Sequence, residues 1–275
     1  MSGNRTKPPG FVSCAWSLGS GPLGKWRVLW RQTKNLRVRL GLAKYEPRTL
    51  FALKTKFGTL WFRDNLVDIT KLADVLHRQA YRWKRLEDEG VILDVGANIG
   101  LAGVWFAHFN PTKPLWCFEP LPDNVALIRR NCWQGRVIES ALGESEGTVT
   151  LRVDPGSVTA SSVPTEGEAA EKTFPLRTLD GCATEFGWGP VALLKIDAEG
   201  MEPQILRGGR QLLARVARVA VETHGAEQHA EVLSLLREAG LEVEDESRGD
   251  VTGMVFAVRP KSAQNAADDV AVDVG

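Results

Sequence analysis

Six side chains able to carry charge or a proton stand where strand-like runs of this sequence end. VILDV (91–95) brings Asp94 to a short turn, Gly96-Ala97-Asn98-Ile99-Gly100. PLWCFE (114–119) ends on Glu119. VALLKID (191–197) ends on Asp197, with Glu199 close behind. VARVAVET (216–223) carries Glu222, with His224 just past it. Ligands of open α/β sheets bind outside the carboxyl ends of the strands, so these six groups are expected to share one edge.

The glycine turn narrows the ligand. A dinucleotide fingerprint puts its middle glycine where Asn98 stands, and that glycine lets the backbone approach a pyrophosphate. The Gly-Lys-Ser or Gly-Lys-Thr of a phosphate-binding loop is absent. A carboxylate beside the turn gains nothing from an anion, but it does gain from a cation. S-adenosylmethionine carries a sulfonium and an ammonium, and its adenosine has no phosphate, so Asp94 suits it. Glu119 can accept hydrogen bonds from both ribose hydroxyls, a role common to NAD and S-adenosylmethionine sites.

Methyl transfer is an in-line displacement, helped mainly by holding the acceptor close and aligned. A hydroxyl acceptor must also lose its proton, which a base of near-neutral pKa does best. His224 is the natural base. Asp197 serves either as base or as the group that orients the acceptor, and Glu199 and Glu222 are assigned to acceptor binding. Each has a plainer alternative: a structural histidine at 224, a turn residue at 197, a helix cap at 199. Glu202 reads as a first-turn carboxylate suited to the helix dipole. Asp197, Glu199 and Glu222 could give oxygen ligands to Mg²⁺, but their spacing does not specify a metal, so none is favoured and no metal ligand is assigned. The Asn/Asp-Pro-Pro-aromatic motif of enzymes that methylate base amines is missing after Ile196, which weighs against a specific nucleic-acid substrate.

Strands alternating with helices from residue 91 onward predict a mostly parallel sheet covered on both faces, a Rossmann-like α/β fold. Helices are expected at 100–109, 122–133, 202–215 and 227–239, with strands between them. Residues 241–245 and 253–259 are expected to close the sheet as an antiparallel pair. A hairpin turning near Gly58 and a helix over 69–85 precede this domain. The polar stretch 153–172 reads as a lid or a solvated loop.

The motifs DVGANIG (94–100), FEPLPDN (118–124), ALGESEG (141–147), LRTLD (176–180), LLKIDAEGMEPQILRGG (193–209) and VETH (221–224) stand in the order and at the separations of a known family. On these residues the chain resembles the FkbM-type family of class I S-adenosylmethionine-dependent methyltransferases, over about residues 88–258. The resemblance implies a seven-stranded sheet with the last strand antiparallel. It also implies O-methylation of a hydroxyl on a sugar, glycan or secondary metabolite. By the same match Asp94, Gly96, Asn98 and Gly100 line the methionine side of the cofactor, Glu119 holds the ribose, and the turn at Ser140, Ala141 and Leu142 borders the adenine. Two rival readings stand beside it: a non-catalytic module that keeps the cofactor fold, and an NAD-dependent oxidoreductase.

Composition sets the frame. The 275 residues are 43% hydrophobic and 25% charged, with a formal net charge of zero. Residues 1–44 hold nine Lys and Arg and no acid, so the rest holds 34 − 9 = 25 bases against 34 acids. The expected organisation is a basic, partly flexible arm (1–45), a hairpin and helix (46–87), the methyltransferase domain (88–259) and a disordered tail (260–275). Within the arm, residues 23–42 mix Trp, Leu and Val with bases. They read either as a peripheral contact with an anionic membrane or acidic partner, or as a helix packed on the domain. No apolar run is long enough to span a bilayer. Cys14, Cys117, Cys132 and Cys182 lack metal or redox spacing, so a cytoplasmic protein with reduced thiols, possible at the membrane periphery, is expected. Trp61 and Trp188 are the tryptophans left as stacking candidates for an acceptor, and the oligomeric state is open.

Overall fold

Val191–Ile196 is buried at every position, and a strand with no polar face belongs inside a sheet. In the computed structural model, which describes residues 10–132, 134–153, 160–161, 170–249 and 251–260, it lies at the centre of seven strands. In chain order the strands are β1 (Glu46–Thr55), β2 (Gly58–Asp64), β3 (Val91–Val95), β4 (Leu115–Phe118), β5 (Arg136–Ile138), β6 (Ala141–Leu142) and β7 (Gly147–Val153). Then come β8 (Ala160–Ser161), β9 (Ala170–Arg177), β10 (Val191–Ile196), β11 (Arg218–His224), β12 (Glu242–Arg248) and β13 (Thr252–Val258). The main sheet has the order β12-β13-β11-β10-β3-β4-β5. Neighbours from β11 to β5 are parallel. The chain's last strand, β13, runs antiparallel to both β11 and β12, as the sequence predicts.

Alternate residues of the central strands face opposite layers. Ile92, Leu193 and Ala220 pack into one core, while Leu93, Leu194 and Val221 pack into the other. Helix α5 (Leu101–Phe109) is buried almost all round and lies in the first layer. Helices α6 (Pro122–Asn131), α7 (Leu179–Phe186), α8 (Glu202–Arg207), α9 (Arg210–Leu213) and α10 (Ala226–Glu238) complete the covering. The single helix expected over 202–215 is two, because Gly208 and Gly209 interrupt it. A Cβ on Gly208 would stand 2.0 Å from the carbonyl oxygen of Gly143. The extended stretches on either side of the expected lid form a second sheet, β6-β9-β7-β8. Most of that lid, 154–159 and 162–169, lies outside the described residues, as do residues 1–9 and 261–275 of the expected flexible arm and tail.

The N-terminal part departs most from expectation. Residues 11–39 form three helices, α1 (Phe11–Leu18), α2 (Gly21–Gln32) and α3 (Lys34–Arg39). Cys14, Ala15, Leu18 and Val28 are buried, so the described part of the arm is packed rather than loose. The helix expected over 69–85 is α4 (Leu66–Leu72), capped by the Asn65 side chain accepting from the Asp68 amide at 2.7 Å. One π turn follows over Ala73–His77. The helix stops there because Gln79 takes a left-handed conformation (φ 59°), which swings buried Tyr81 inward. All four cysteines are buried and unbridged. Trp188 is buried among Trp116, Phe118 and Phe186, so it is a packing residue and not a stacking surface for an acceptor.

Candidate active site

The turn after β3 is shaped by one close approach. Gly96 has φ 69°, and a Cβ there would stand 1.8 Å from the Asp197 carbonyl oxygen. No other residue type brings the ends of β3 and β10 this near. The turn is tied from below, since the amides of Gly96 and Ala97 both donate to the Phe118 carbonyl at 3.0 Å. Lys195 Nζ donates to the carbonyls of Val95 (3.0 Å) and Gly96 (2.8 Å). It also stands 2.9 Å from Asp94 Oδ1. Asp94 is fully buried, so it anchors Lys195 beneath the turn and does not line the cleft. The expected contact between Asp94 and a cationic ligand finds no open surface here, since the carboxylate is buried beside the Lys195 ammonium. Gly100 (φ 85°) opens α5 against Ile128 and also stands away from the cleft.

Glu119 does face the cleft. Its Oε2 accepts from the Asn98 amide at 2.8 Å, and its Oε1 accepts from the Leu121 amide and Asn124 Nδ2, both at 3.1 Å. Burial pushes its pKa up to about 7, against the pull of those three donors. A carboxylate offers about four acceptor sites, so it has capacity for one donor more. The cleft runs from Gly96, Asn98 and Glu119 to Ser140, Ala141 and Leu142. Its walls contain buried polar atoms with no protein partner: Asn124 Oδ1, Ser140 Oγ and Asp197 Oδ1. Buried polar groups are expected to be paired, so such atoms point to a polar ligand. The lining suits an adenosine in chemistry, with one ribose hydroxyl donor for Glu119 and the apolar Phe118, Ala141 and Leu142 to flank a base. Acids on both rims oppose a pyrophosphate.

Across the cleft, four elements converge on one charged cluster. Lys71, in the last turn of α4, places Nζ 3.2 Å from Asp197 Oδ2 and 3.7 Å from Glu222 Oε2. Tyr81 donates its hydroxyl to Asp197 Oδ2 at 3.4 Å. His224 sits between two acids, with Nδ1 3.0 Å from Glu202 Oε1 and Nε2 3.4 Å from Glu199 Oε2. Glu202 is fully buried, and the same oxygen accepts from the amides of Ala198 and Gly200, both at 3.1 Å. It holds the turn that presents Glu199, whose backbone is left-handed (φ 48°).

These contacts set the protonation states. Burial alone would lower the His224 pKa, but the hydrogen bond and charge of Glu202, then Glu199 and Asp197, raise it to about 9. Burial works to raise the Asp197 pKa, yet Lys71, Lys195 and His224 together hold it well below the usual carboxylate range. Glu222 rises to about 7, through burial and then the charge of Asp197. Lys71 is held firmly cationic, chiefly by Asp197. At neutral pH the cluster therefore contains an imidazolium, an ammonium, an ionised Asp197 and a half-titrated Glu222.

The structure thus gathers Gly96, Asn98, Glu119, Ala141, Asp197 and Glu199 on one cleft, with Glu222 and His224 behind its rim. It leaves Asp94 and Gly100 outside. Sequence reasoning missed Lys71 and Tyr81, and reduced Glu202 to a dipole effect. Among the described residues, the trio with metal-ligand spacing is Asp197, Glu199 and His224, with one atom each within 4.8 Å of the others; Glu222, weighed above as a possible oxygen ligand, is not in it.

Residues 94–243 match the family model described as methyltransferase FkbM domain. The hexuronic acid methyltransferase AglP of Haloferax volcanii is 31% identical over 163 residues, covering 58% of this chain and 66% of that protein. The 31-O-demethyl-FK506 methyltransferase FkbM of Streptomyces tacrolimicus is 31% identical over 192 residues, covering 56% of this chain and 73% of that one. The 2-O-methyltransferase NoeI of Sinorhizobium fredii is 26% identical over 166 residues, covering 54% and 68%. Each similarity spans about two thirds to three quarters of the relative's length.

Proposed function

The chain belongs to the FkbM methyltransferase family, and from that premise we propose that it transfers a methyl group from S-adenosylmethionine to a hydroxyl of a sugar, glycan or secondary metabolite. The observation that carries this reading is one cleft that joins Glu119 and the wall from Ser140 to Leu142 with Asp197 and Glu199, behind which Lys71 bridges Asp197 to Glu222. The names of two relatives, which print 2-O- and 31-O-, support an oxygen acceptor, and the name of a third gives a hexuronic acid as its substrate.

Glu119 would hold the ribose, Gly96 and Asn98 the methionine moiety, and Ser140 to Leu142 the adenine. Bound there, S-adenosylmethionine supplies an electrophilic methyl on a sulfonium. The chain's own residues must align the acceptor oxygen and remove its proton. Asp197, ionised and with Oδ1 unpartnered, accepts a hydrogen bond from the acceptor hydroxyl and so positions it. It is too weak a base to keep the proton. His224 already carries a proton at neutral pH, so it orients Glu199 and steadies the cluster's charge and is not the base. Glu222, whose pKa is raised to about 7, ends with the proton, which passes from the hydroxyl to Asp197 and on through the Lys71 ammonium that bridges the two carboxylates. Lys71 keeps the two carboxylates apart in role by holding Asp197 ionised.

Isothermal titration with S-adenosylhomocysteine and NADH tests the cofactor. Labelled methyl transfer to uronic acids, oligosaccharides and polyketide alcohols tests the acceptor. Tight NADH binding without S-adenosylhomocysteine binding would end the reading. Folded, cofactor-binding protein that methylates no hydroxyl would assign the chain to the non-catalytic alternative. The Glu119→Ala variant is expected to bind S-adenosylhomocysteine more weakly by roughly 1–3 kcal/mol, because a buried carboxylate hydrogen bond is lost. Unchanged affinity would remove Glu119 from the cofactor site.

A further inference from the structure

The exposed apolar surface of this protein is concentrated in its most basic segment. Eight of the eleven large apolar side chains exposed among the described residues lie between Val12 and Leu42. On α2 they fall on one stripe: Leu23 is 61% exposed, Trp26 57% and Trp30 47%, at helical spacing. Gly24 and Val28, on the opposite side, are buried against the domain. The helix therefore has two apolar faces, only one of which has a partner within the chain. Trp26 and Trp30 stack with ring centroids 5.7 Å apart. Lys25 and Arg37 lie over the rings of Trp16 and Trp30.

The cations of the segment divide in the same way. Arg31 and Lys34 turn inward to buried Asp64. Lys25, Arg27, Arg37, Arg39 and Lys44 make no ion pair among the described residues, and residues 1–44 contain no acid at all. Tryptophan and leucine ringed by arginine and lysine is the composition of a helix that lies in an anionic lipid interface. Apolar rings enter the headgroup boundary, and bases gain from the negative surface potential. No described helix is long and apolar enough to cross a membrane, so the segment would lie along the surface.

We propose that α1 to α3 form a docking surface for an anionic phospholipid membrane. The charge complementarity picks lipid over a second copy of this chain, because two such faces would bring their uncompensated bases together. The surface also connects to the cleft. Gln32 at the end of α2 donates to the Ile69 carbonyl at 3.3 Å, in α4, the helix that carries Lys71. The proposal stands apart from the methyl-transfer reading, since it requires neither cofactor nor turnover.

Flotation of the full chain with vesicles tests it. The chain should float with an equal mixture of phosphatidylcholine and phosphatidylglycerol, and should be released by salt and by omission of phosphatidylglycerol. Trp26→Ala with Trp30→Ala, and separately Arg27→Glu with Arg39→Glu, should each lower the partition coefficient about tenfold or more. Both pairs are exposed, so S-adenosylhomocysteine affinity and the circular dichroism spectrum should stay as in the parent. Absence of flotation, flotation indifferent to lipid charge, or flotation unchanged in both variants would overturn the proposal. A dimer lost in the tryptophan variant, without vesicle binding, would give the face to a second copy. Capture of polyglutamate in place of vesicles would give it to an acidic protein.

Discussion

The Lys195→Met variant is expected to lose about 3–5 kcal/mol of unfolding free energy, read from urea denaturation. Lys195 and Asp94 lie side by side on β10 and β3, in register, and are 2% and 0% exposed. Methionine fills nearly the same volume without the ammonium, so packing changes little and the electrostatic loss dominates. Asp94 is then left charged in a dry interior with no cation, which is the costly half of a broken buried pair. The carbonyls of Val95 and Gly96 lose their donor at the same time. Those carbonyls lie under the turn proposed to hold the cofactor, so affinity for S-adenosylhomocysteine should fall with stability. Asp94→Asn in the Lys195→Met background should recover most of the loss, because removing both partners leaves no orphaned charge. A single variant as stable as the parent, or a double variant no better than the single, would show that the pair does not hold the turn.

That pair marks the limit of what the sequence makes legible. The strands that carry the site are readable because apolar runs such as VALLKI and VAV end abruptly in acids, and burial follows from such runs. Asp94 is legible as a strand-end acid, but its partner is not: Lys195 lies far along the chain and meets it only through strand register. Lys71 and Tyr81 belong to a segment ahead of the recognisable domain, where nothing in the periodicity distinguishes one lysine on a short helix from the others. Glu202 looks like an ordinary first-turn acid until Gly200, at φ 104°, folds the preceding turn back onto it. The arm is a case where local pattern leaves helix and strand both open: LRVRL alternates like a strand and Trp26, Trp30 and Leu36 fit a helical face, and Lys34 and Arg31 reaching Asp64, with Val28 reaching the core, hold the segment helical. In each case tertiary partners settled what local pattern left open.

Glu222→Gln is expected to lower turnover by about 10²–10⁴-fold, with affinity for S-adenosylhomocysteine close to that of the parent. The glutamine keeps the shape of the side chain and removes its capacity to take a proton. The pH dependence gives a second, independent signature. Glu222 has its pKa raised from 4.5 to about 7, so it is protonated and idle below that range, and the rate should rise as pH passes through about 7. His224 has its pKa raised from 6.5 to about 9, so on the alkaline side it loses the proton that binds Glu199 and Glu202, and the rate should fall through about 9. The parent should therefore show a bell bounded by those two titrations. The folded state binds the His224 proton more tightly than the unfolded state between 6.5 and 9, so its stabilising contribution is complete below 6.5 and fades across that window. Glu222→Gln should lose the acidic limb and keep the alkaline one, whereas Glu202→Gln should move the alkaline limb to lower pH by removing the acid that most raises His224. If Glu222→Gln retains full turnover and its acidic limb, the proton goes elsewhere in the cluster, and Asp197 and Glu199 are the carboxylates on the cleft that could take it.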